Sequence, residues 1–163
     1  HKPGWDERWE EFSVWAEKGE ALKNDLLFLV DEDTRSFNRI MDAFGMPKKN
    51  DEEKALRSKA IQEATKYAIE VPFRTMQKAY EVFEICEAMV DTGNPNSVSD
   101  AGVGALCARS AVMGAFLNVK INASSLKDKA FADDIVAKAA QLQADAQSKE
   151  KTILDKVHRV IEA

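Results

Sequence analysis

The sequence is poor in the residues that build metal centres and disulfide frameworks. Its 163 residues include two histidines, His1 and His158, and two cysteines, Cys86 and Cys107. So little histidine argues against a zinc site and against a catalytic triad that contains histidine. Both cysteines have apolar neighbours at helical spacing, which favours reduced core thiols and therefore a cytoplasmic protein.

An excess of basic charge is also missing. Lysine and arginine total 23 against 28 aspartates and glutamates, so the net charge is −5 at pH 7. Nucleic-acid-binding proteins usually carry a basic face and have a high isoelectric point, so we do not expect nucleic acid as a partner. With 45% hydrophobic and 31% charged residues, the composition is that of an ordinary globular domain with one hydrophobic core.

The chain also lacks an initiator methionine and a signal sequence. It opens with HKPGW, and no signal-type apolar stretch follows. We therefore expect residues 1–163 to form a single helical domain that is the C-terminal part of a longer polypeptide.

No stretch shows the alternation typical of a β-strand, whereas four long stretches carry apolar residues at helical spacing. The pattern predicts an all-α fold, an antiparallel bundle of long helices joined by short turns. Glycine and proline in GMPKKND and GNPNS mark two of the turns. We expect helices over about residues 6–44, 51–90, 99–122 and 128–163, with Pro72 kinking or dividing the second.

The third predicted helix is apolar on every side. Between Ala101 and Asn122 only Arg109 and Lys120 are charged, which is typical of a buried central helix. The stretch is long enough to span a membrane, but its charges, its asparagines and its charge-rich neighbours argue against insertion. One side would admit the close approach of a helix from the same chain or from a second one. It consists of Gly104, Ala108, Ala111 and Ala115, followed by Asn118 and Asn122.

An acidic residue interrupts the apolar spacing of the first helix. If this stripe packs in the core, Asp33 needs a hydrogen-bonding or charged partner. Two interpretations stay open: a salt bridge to a neighbouring helix, with Arg109 as one candidate, or a general acid–base group in a pocket between helices. The stripe consists of Leu26, Val30, Asp33, Phe37, Ile40 and Phe44.

Four further polar residues are candidates for ligand binding. Lys48 begins a basic segment that could hold an anionic ligand tail, although such segments are usually only solvated. Asp100 begins the third helix, where an acid also satisfies free backbone N–H groups. Asn118 and Asn122 could line a pocket, or they could cap the helix and form hydrogen bonds in the core. The basic segment contains Lys48, Lys49, Lys54, Arg57 and Lys59.

Three separated motifs carry a resemblance to a known family: VDEDTRSFNRIMDAFGMPK, AIEVPF and GNPNSVSDAGVGALCARSAVMGAFLNVKIN. In their order and spacing they resemble the cyclodeaminase/cyclohydrolase family of folate enzymes, over nearly the whole chain. The resemblance implies an all-α homodimer that binds a tetrahydrofolate derivative, often polyglutamylated, and needs no other cofactor and no metal. The family's N-terminal helix and Gly-rich PGGGS-type segment have no counterpart here. A site drawn from these residues is therefore incomplete, and this piece alone can be inactive.

Within this family the chain looks closest to the formimidoyltetrahydrofolate cyclodeaminase domain, often the C-terminal half of a bifunctional protein with a formimidoyltransferase half. This resemblance implies a cytoplasmic lyase of histidine degradation and one-carbon metabolism. In its reaction, N10 of 5-formimidoyltetrahydrofolate attacks the formimidoyl carbon, and ammonia leaves to give 5,10-methenyltetrahydrofolate. The implied roles are acid–base catalysis for Asp33 and substrate binding for Lys48, Asp100, Asn118 and Asn122.

Two alternatives to this activity stay open. The first is methenyltetrahydrofolate cyclohydrolase of the same family, in which water adds to the same carbon. The second is a helical dimerisation module with no chemistry of its own, which would have no need of Asp33.

The predicted site residues also bear on the oligomeric state. Asp100 and Asn118 are eighteen positions apart on one predicted helix, which corresponds to about 27 Å and is too far for one pterin. If both serve one site, two copies of this helix must approach antiparallel across a two-fold axis. The sequence therefore predicts a symmetric homodimer with ligand-lining residues from both chains.

Overall fold

The protein consists of long α-helices joined by short turns. The computed structural model describes residues 4–163, and these residues contain four α-helices, two 3₁₀ turns and no β-strand. The all-α prediction is therefore confirmed, and the helix bounds agree within a few residues. His1 lies outside the described residues. The elements in chain order are a 3₁₀ turn (Asp6–Arg8), α1 (Trp9–Gly45), α2 (Asp51–Thr92), a second 3₁₀ turn (Pro95–Ser97), α3 (Val98–Ser124) and α4 (Lys129–Ile161).

Side-chain caps determine where two of the helices begin. The side chain of Asn50 accepts a hydrogen bond from the third residue of α2, and Asp128 does the same for α4. Helix α3 begins without such a cap, because the Ser97 side chain makes no cap hydrogen bond. Asn94 instead caps the 3₁₀ turn that precedes α3.

Helix α2 is the centre of the fold, because it packs against each of the other three helices. Its core-facing residues include Met76 and Phe83, which are 0% and 1% exposed. Helix α3 covers one side of this core with Val112, and α4 covers another with Ile153. Burial of these side chains supplies the main favourable term in folding.

Helix α3 has the largest share of buried residues among the four described helices, as expected of a central helix, but it is not enclosed on every side. One side packs against α2 and α4, whereas Val103, Leu106, Leu117 and Ile121 on the other side are 46–68% exposed. The sequence shows that a helix is apolar but not how many neighbours it has. By length and composition, α3 is also the one described helix that could cross a membrane: Pro95–Ser124 has a mean hydropathy of 1.4, with 39% of the apolar window buried. Core helices of soluble proteins meet the same criterion, so this is weak evidence for a span.

The side of α3 that carries small residues packs closely against α2 of the same chain. A Cβ atom added at Gly104 would lie 2.9 Å from Sγ of Cys86 on α2, so the absence of a side chain at this position permits the close approach. Ala108 and Ala115 are buried along the same contact. Ala111 lies at its edge and is exposed.

Helix α1 packs with a different side from the one predicted. Val30, Phe37 and Phe44 of the predicted stripe are 51–65% exposed. Because α1 has apolar residues on two sides, helical spacing alone could not decide which of them faces α2. The buried carboxylate is that of Glu32, and Asp33 is exposed at the edge of the contact. The buried residues of α1 are Leu22, Leu29, Glu32, Ser36 and Ala43.

Candidate active site

A groove follows α2, first between α1 and α3, then beside α1 and finally beside α3. Three clefts follow one another along it. The first two share Leu26 and Val30 as lining residues, and the second and third share Ile85. The clefts are therefore parts of one continuous depression, whose middle section is almost entirely apolar.

The first cleft holds the polar residues expected of a reactive site. Its volume is about 390 Å³, and α1, α2 and α3 all contribute to its walls. Asp33 and Thr34 come from α1, Pro72 and Thr75 from α2, and Asn118 from α3. The fold thus brings two predicted site residues together, the acid–base candidate Asp33 and the binding candidate Asn118.

The environment of Asp33 differs from the predicted one. Its carboxylate is exposed in the single chain, and no described residue forms an ion pair with it. Arg109, the candidate partner, forms an ion pair with Glu150 of α4 at 3.2 Å instead. Asp33 is therefore available to a ligand in the cleft, whose other walls include the apolar Leu29 and Val30.

Asn122 lies one helical turn beyond Asn118, but its amide is engaged within the chain. Nδ2 donates a hydrogen bond of 2.8 Å to the backbone carbonyl of Ala68 on α2. This is the core hydrogen bond that the sequence left open as one alternative. Asn122 is not among the residues that line the cleft.

Asp100 lies at the far end of the groove from Asp33. It lines the third cleft together with Gly93, Asn94 and Ser97. Since α3 is one continuous helix from Val98 to Ser124, Asp100 is about 27 Å from Asn118 along its axis. One chain therefore does not bring these two residues to the same site.

Lys48 also lies away from the cleft, in the turn between α1 and α2. Its side chain is exposed and forms no ion pair with a described residue. Elsewhere in the basic segment, Lys54 pairs with Asp51 at 2.9 Å and Lys59 with Glu63 at 3.8 Å. Lys48 and its neighbour Lys49, which is likewise exposed and without an ion pair among the described residues, are thus the members whose charges the fold leaves accessible at this end of the molecule.

Sequence reasoning missed a buried polar pair behind Asp33. Glu32 is 6% exposed, accepts a hydrogen bond from the hydroxyl of Tyr67 on α2, and pairs with Arg35 at 3.0 Å. The guanidinium of Arg39 lies 4.1 Å from the centre of the Tyr67 ring. A buried carboxylate requires such partners. The pair fixes the rotation of α1 on α2, and with it the direction of the neighbouring Asp33 side chain.

The cleft that contains Asp100 includes one thiol, that of Cys86. Burial raises the pKa of this thiol above its ordinary value. A thiol that is kept protonated in apolar surroundings is a poor nucleophile, so Cys86 acts as a core residue.

Comparison with known proteins assigns the chain to a family. The profile of the formiminotransferase-cyclodeaminase family matches residues 1–141. The chain therefore belongs to this family, and the membership predicted from its three motifs is confirmed.

Two relatives show how the chain relates to the family's members. It is 39% identical over 141 residues to the methenyltetrahydrofolate cyclohydrolase of Methylorubrum extorquens, covering 86% of this chain and 68% of the relative. It is 31% identical over 131 residues to the formimidoyltransferase-cyclodeaminase of Gallus gallus, covering 80% of this chain and 24% of the relative. The chain thus spans about a quarter of the length of the second relative.

A solved structure supports the fold. The crystal structure of formiminotetrahydrofolate cyclodeaminase from Thermotoga maritima superimposes with a TM-score of 0.82, covering 98% of this chain and 76% of that chain. The two sequences are 21% identical in this alignment, so the likeness shows a shared fold and nothing further.

Proposed function

We propose that this protein acts on a one-carbon unit attached to N5 of tetrahydrofolate, in the first place as a formimidoyltetrahydrofolate cyclodeaminase. The observation that carries this proposal is the shared cleft of Asp33 and Asn118, in a chain that belongs to the formiminotransferase-cyclodeaminase family. In the reaction a bond forms between N10 and the formimidoyl carbon. The bond from that carbon to the terminal nitrogen breaks, and ammonia leaves.

Two proton transfers accompany this ring closure, and Asp33 is the group we assign to them. A carboxylate can take the proton from N10 and deliver one to the departing nitrogen, which typically contributes about 10²–10⁴-fold to the rate. The amide of Asn118 both donates and accepts hydrogen bonds. In the proposed complex it holds the folate so that N10 stays in attack geometry, which favours the intramolecular step.

The second candidate is methenyltetrahydrofolate cyclohydrolase. It is favoured by the Methylorubrum extorquens relative, which is 39% identical to this chain and 68% covered by it. The Gallus gallus relative is 31% identical and 24% covered. In this reaction water adds to the bridging carbon, the bond from that carbon to N5 breaks, and 10-formyltetrahydrofolate forms with release of a proton. Asp33 would accept that proton from the attacking water.

One experiment separates the two candidates. The native polypeptide that contains these residues is given 5-formimidoyltetrahydrofolate or 5,10-methenyltetrahydrofolate, and ammonia release and the methenyl absorbance are followed. Ammonia release with a rise in methenyl absorbance supports the cyclodeaminase. Loss of methenyl absorbance faster than in buffer supports the cyclohydrolase. No turnover of either substrate would overturn both and favour a non-catalytic dimerisation module.

We further propose a homodimer of antiparallel bundles, formed by the exposed side of α3. Val103, Leu106, Leu117 and Ile121 on this side are 46–68% exposed, and single soluble chains rarely expose large contiguous apolar patches. A two-fold dimer is the commonest way in which soluble proteins pair. Antiparallel pairing of two α3 helices would bring Asp100 of one chain towards Asn118 of the other, so that each site draws on both chains.

Mixing of variants tests this shared site. One full-length variant is altered at Asp100, the other at Asn118, and verified heterodimers of the two are assayed. Shared sites would restore activity in one of the two pockets. No recovery would mean that each site lies within one chain and that Asp100 only stabilises the start of α3.

We propose that the protein is cytoplasmic. Lys48 is our candidate for contact with the negatively charged tail of a polyglutamylated folate. Exposed charges are screened by salt, so a preference for polyglutamylated over monoglutamylated substrate should shrink as the ionic strength rises. Equal affinity for the two substrates at low salt would remove this role.

A further inference from the structure

Pro72 lies in the middle of α2 and leaves a backbone carbonyl without its usual partner. Proline has no N–H group, and its ring crowds the carbonyl four residues earlier, which here belongs to Ala68. Helix α2 nevertheless continues from Asp51 to Thr92 without interruption. Some other donor must therefore satisfy the Ala68 carbonyl.

This carbonyl lies in the interior, where solvent is a poor substitute for a protein donor. Ala68 is 3% exposed, and Ile69 and Val71 beside it are 0% exposed. Buried backbone carbonyls are almost always hydrogen-bonded. The donor is Asn122 of α3, whose Nδ2 lies 2.8 Å from the Ala68 oxygen.

The same two helices form walls of the cleft. Pro72 and Asn118 both line it, and Asn122 follows Asn118 by four residues, so the two amides lie on the same side of α3. The hydrogen bond from Asn122 therefore joins α3 to α2 one turn away from Asn118. A change in this bond would move Asn118 relative to Asp33 on the opposite wall.

We propose that Asn122 is a positioning residue: its amide replaces the hydrogen bond that Pro72 removes from α2 and thereby holds Asn118 opposite Asp33. Asn122 then contributes to the site without touching the substrate. The catalytic consequence rests on the proposed function, whereas the hydrogen bond itself can be tested without any substrate.

The first test is a double-mutant cycle on thermal unfolding of the full chain. Asn122→Ala should lower the unfolding midpoint by about 2–12 °C, because a buried carbonyl is left unpaired. Pro72→Ala restores an N–H group that can donate a hydrogen bond to the Ala68 carbonyl. Asn122→Ala should therefore lower the unfolding midpoint less than half as much in the Pro72→Ala variant as in the wild type. Gln147→Ala removes an exposed amide from α4 and should have the same small effect in both backgrounds.

The cycle stays informative even if Asn122→Ala does not fold in the wild-type background. If Asn122→Ala folds only in the Pro72→Ala background, the coupling is supported directly. Asn122→Asp keeps the shape of the side chain but cannot donate when ionised, and it should show the same dependence on residue 72. Equal losses in both backgrounds, for both variants, would overturn the proposed replacement.

The second test compares kinetics at a temperature where every variant is folded by circular dichroism. Asn122→Ala should lose about 10–100-fold in kcat/KM, since small displacements in a site have such effects. Ile153→Val removes one methyl group from the buried part of α4, and should lower the midpoint but keep kcat/KM. Equal kcat/KM for the two variants would overturn the positioning role. Failure of the proposed function is distinguishable, because it would show as no turnover by the wild-type chain.

Discussion

The two sides of α2 differ in how completely the chain covers them. Towards α4 the core is closed, and on its surface Glu87 accepts hydrogen bonds from Lys149 and Lys156 at 2.8 and 3.1 Å. Towards α1 and α3 a groove stays open, and apolar residues that line it, such as Val30 and Leu27, are 65% and 59% exposed. The comparison indicates that one side serves stability within the chain, whereas the other stays open and is the side to which we assign the ligand and the second chain.

The largest effect is expected at the open side, from Asp33→Asn. If Asp33 transfers protons, turnover should fall by about 10²–10⁴-fold while the unfolding midpoint stays within a few degrees, because the exposed carboxylate has no ion-pair partner among the described residues. Steady-state kinetics and thermal unfolding measure the two quantities. Asp31→Asn, an exposed acid two residues away, is the control and should keep full turnover. Normal turnover of Asp33→Asn would remove the catalytic role.

The second prediction contrasts the stability of the two sides. Ile153→Ala removes a side chain that is 0% exposed and should lower the free energy of unfolding by about 2–5 kcal/mol. Val30→Ala on the open side should change it by less than about 0.5 kcal/mol at monomeric concentrations, since this side chain is largely in water. Urea unfolding measures both. Similar losses for the two variants would show that the open side is packed within one chain after all.

The third prediction concerns pairing through α3. Ile121→Asp would place an unpaired charge in the proposed interface and weaken the dimer by about 2 kcal/mol or more, with the helix content unchanged. Sedimentation measures the dimer, and labelling of Cys107, which is exposed in the single chain, should become faster in the variant. The control is Ala140→Asp at an exposed position of α4. An unchanged sedimentation coefficient, or equal weakening by both variants, would place the interface elsewhere.

The smallest effect is expected from the charges on the closed side. Hydrogen bonds from Lys149 and Lys156 hold the pKa of Glu87 below its ordinary value of 4.5. Folding therefore favours the ionised form, so this stabilisation is complete above pH 4.5 and is lost as the pH falls through the lowered pKa. Glu87→Gln should remove this pH-dependent part, which amounts to less than about 1 kcal/mol.

Urea unfolding between about pH 7 and pH 3 covers the interval in which carboxylates titrate and measures that part of the stability. Glu17→Gln, at an exposed position of α1, is the matched control. If the stability of the Glu87→Gln variant falls with pH as steeply as that of the wild type, the hydrogen bonds of Glu87 contribute nothing measurable.

The sequence by itself determined the four helices, the turns between them and the family. Apolar spacing, the glycine and proline of GMPKKND and GNPNS, and the three family motifs are local properties of the chain, and they do not depend on distant contacts. For the same reason the sequence could nominate Asp33 and Asn118 as chemically suitable residues, because their residue types and their motifs are visible without a structure.

Only the tertiary structure decided how these residues are arranged. The rotation of α1 on α2 buries Glu32 against Tyr67 and leaves Asp33 at the groove. The sequence could not show this rotation, because α1 has apolar residues on two sides. Packing also brought Asn118 to the cleft and joined Asn122 to the Ala68 carbonyl. The physical reason is that helical spacing defines the sides of a helix, but the neighbours that cover each side are chosen by the packing of the whole chain.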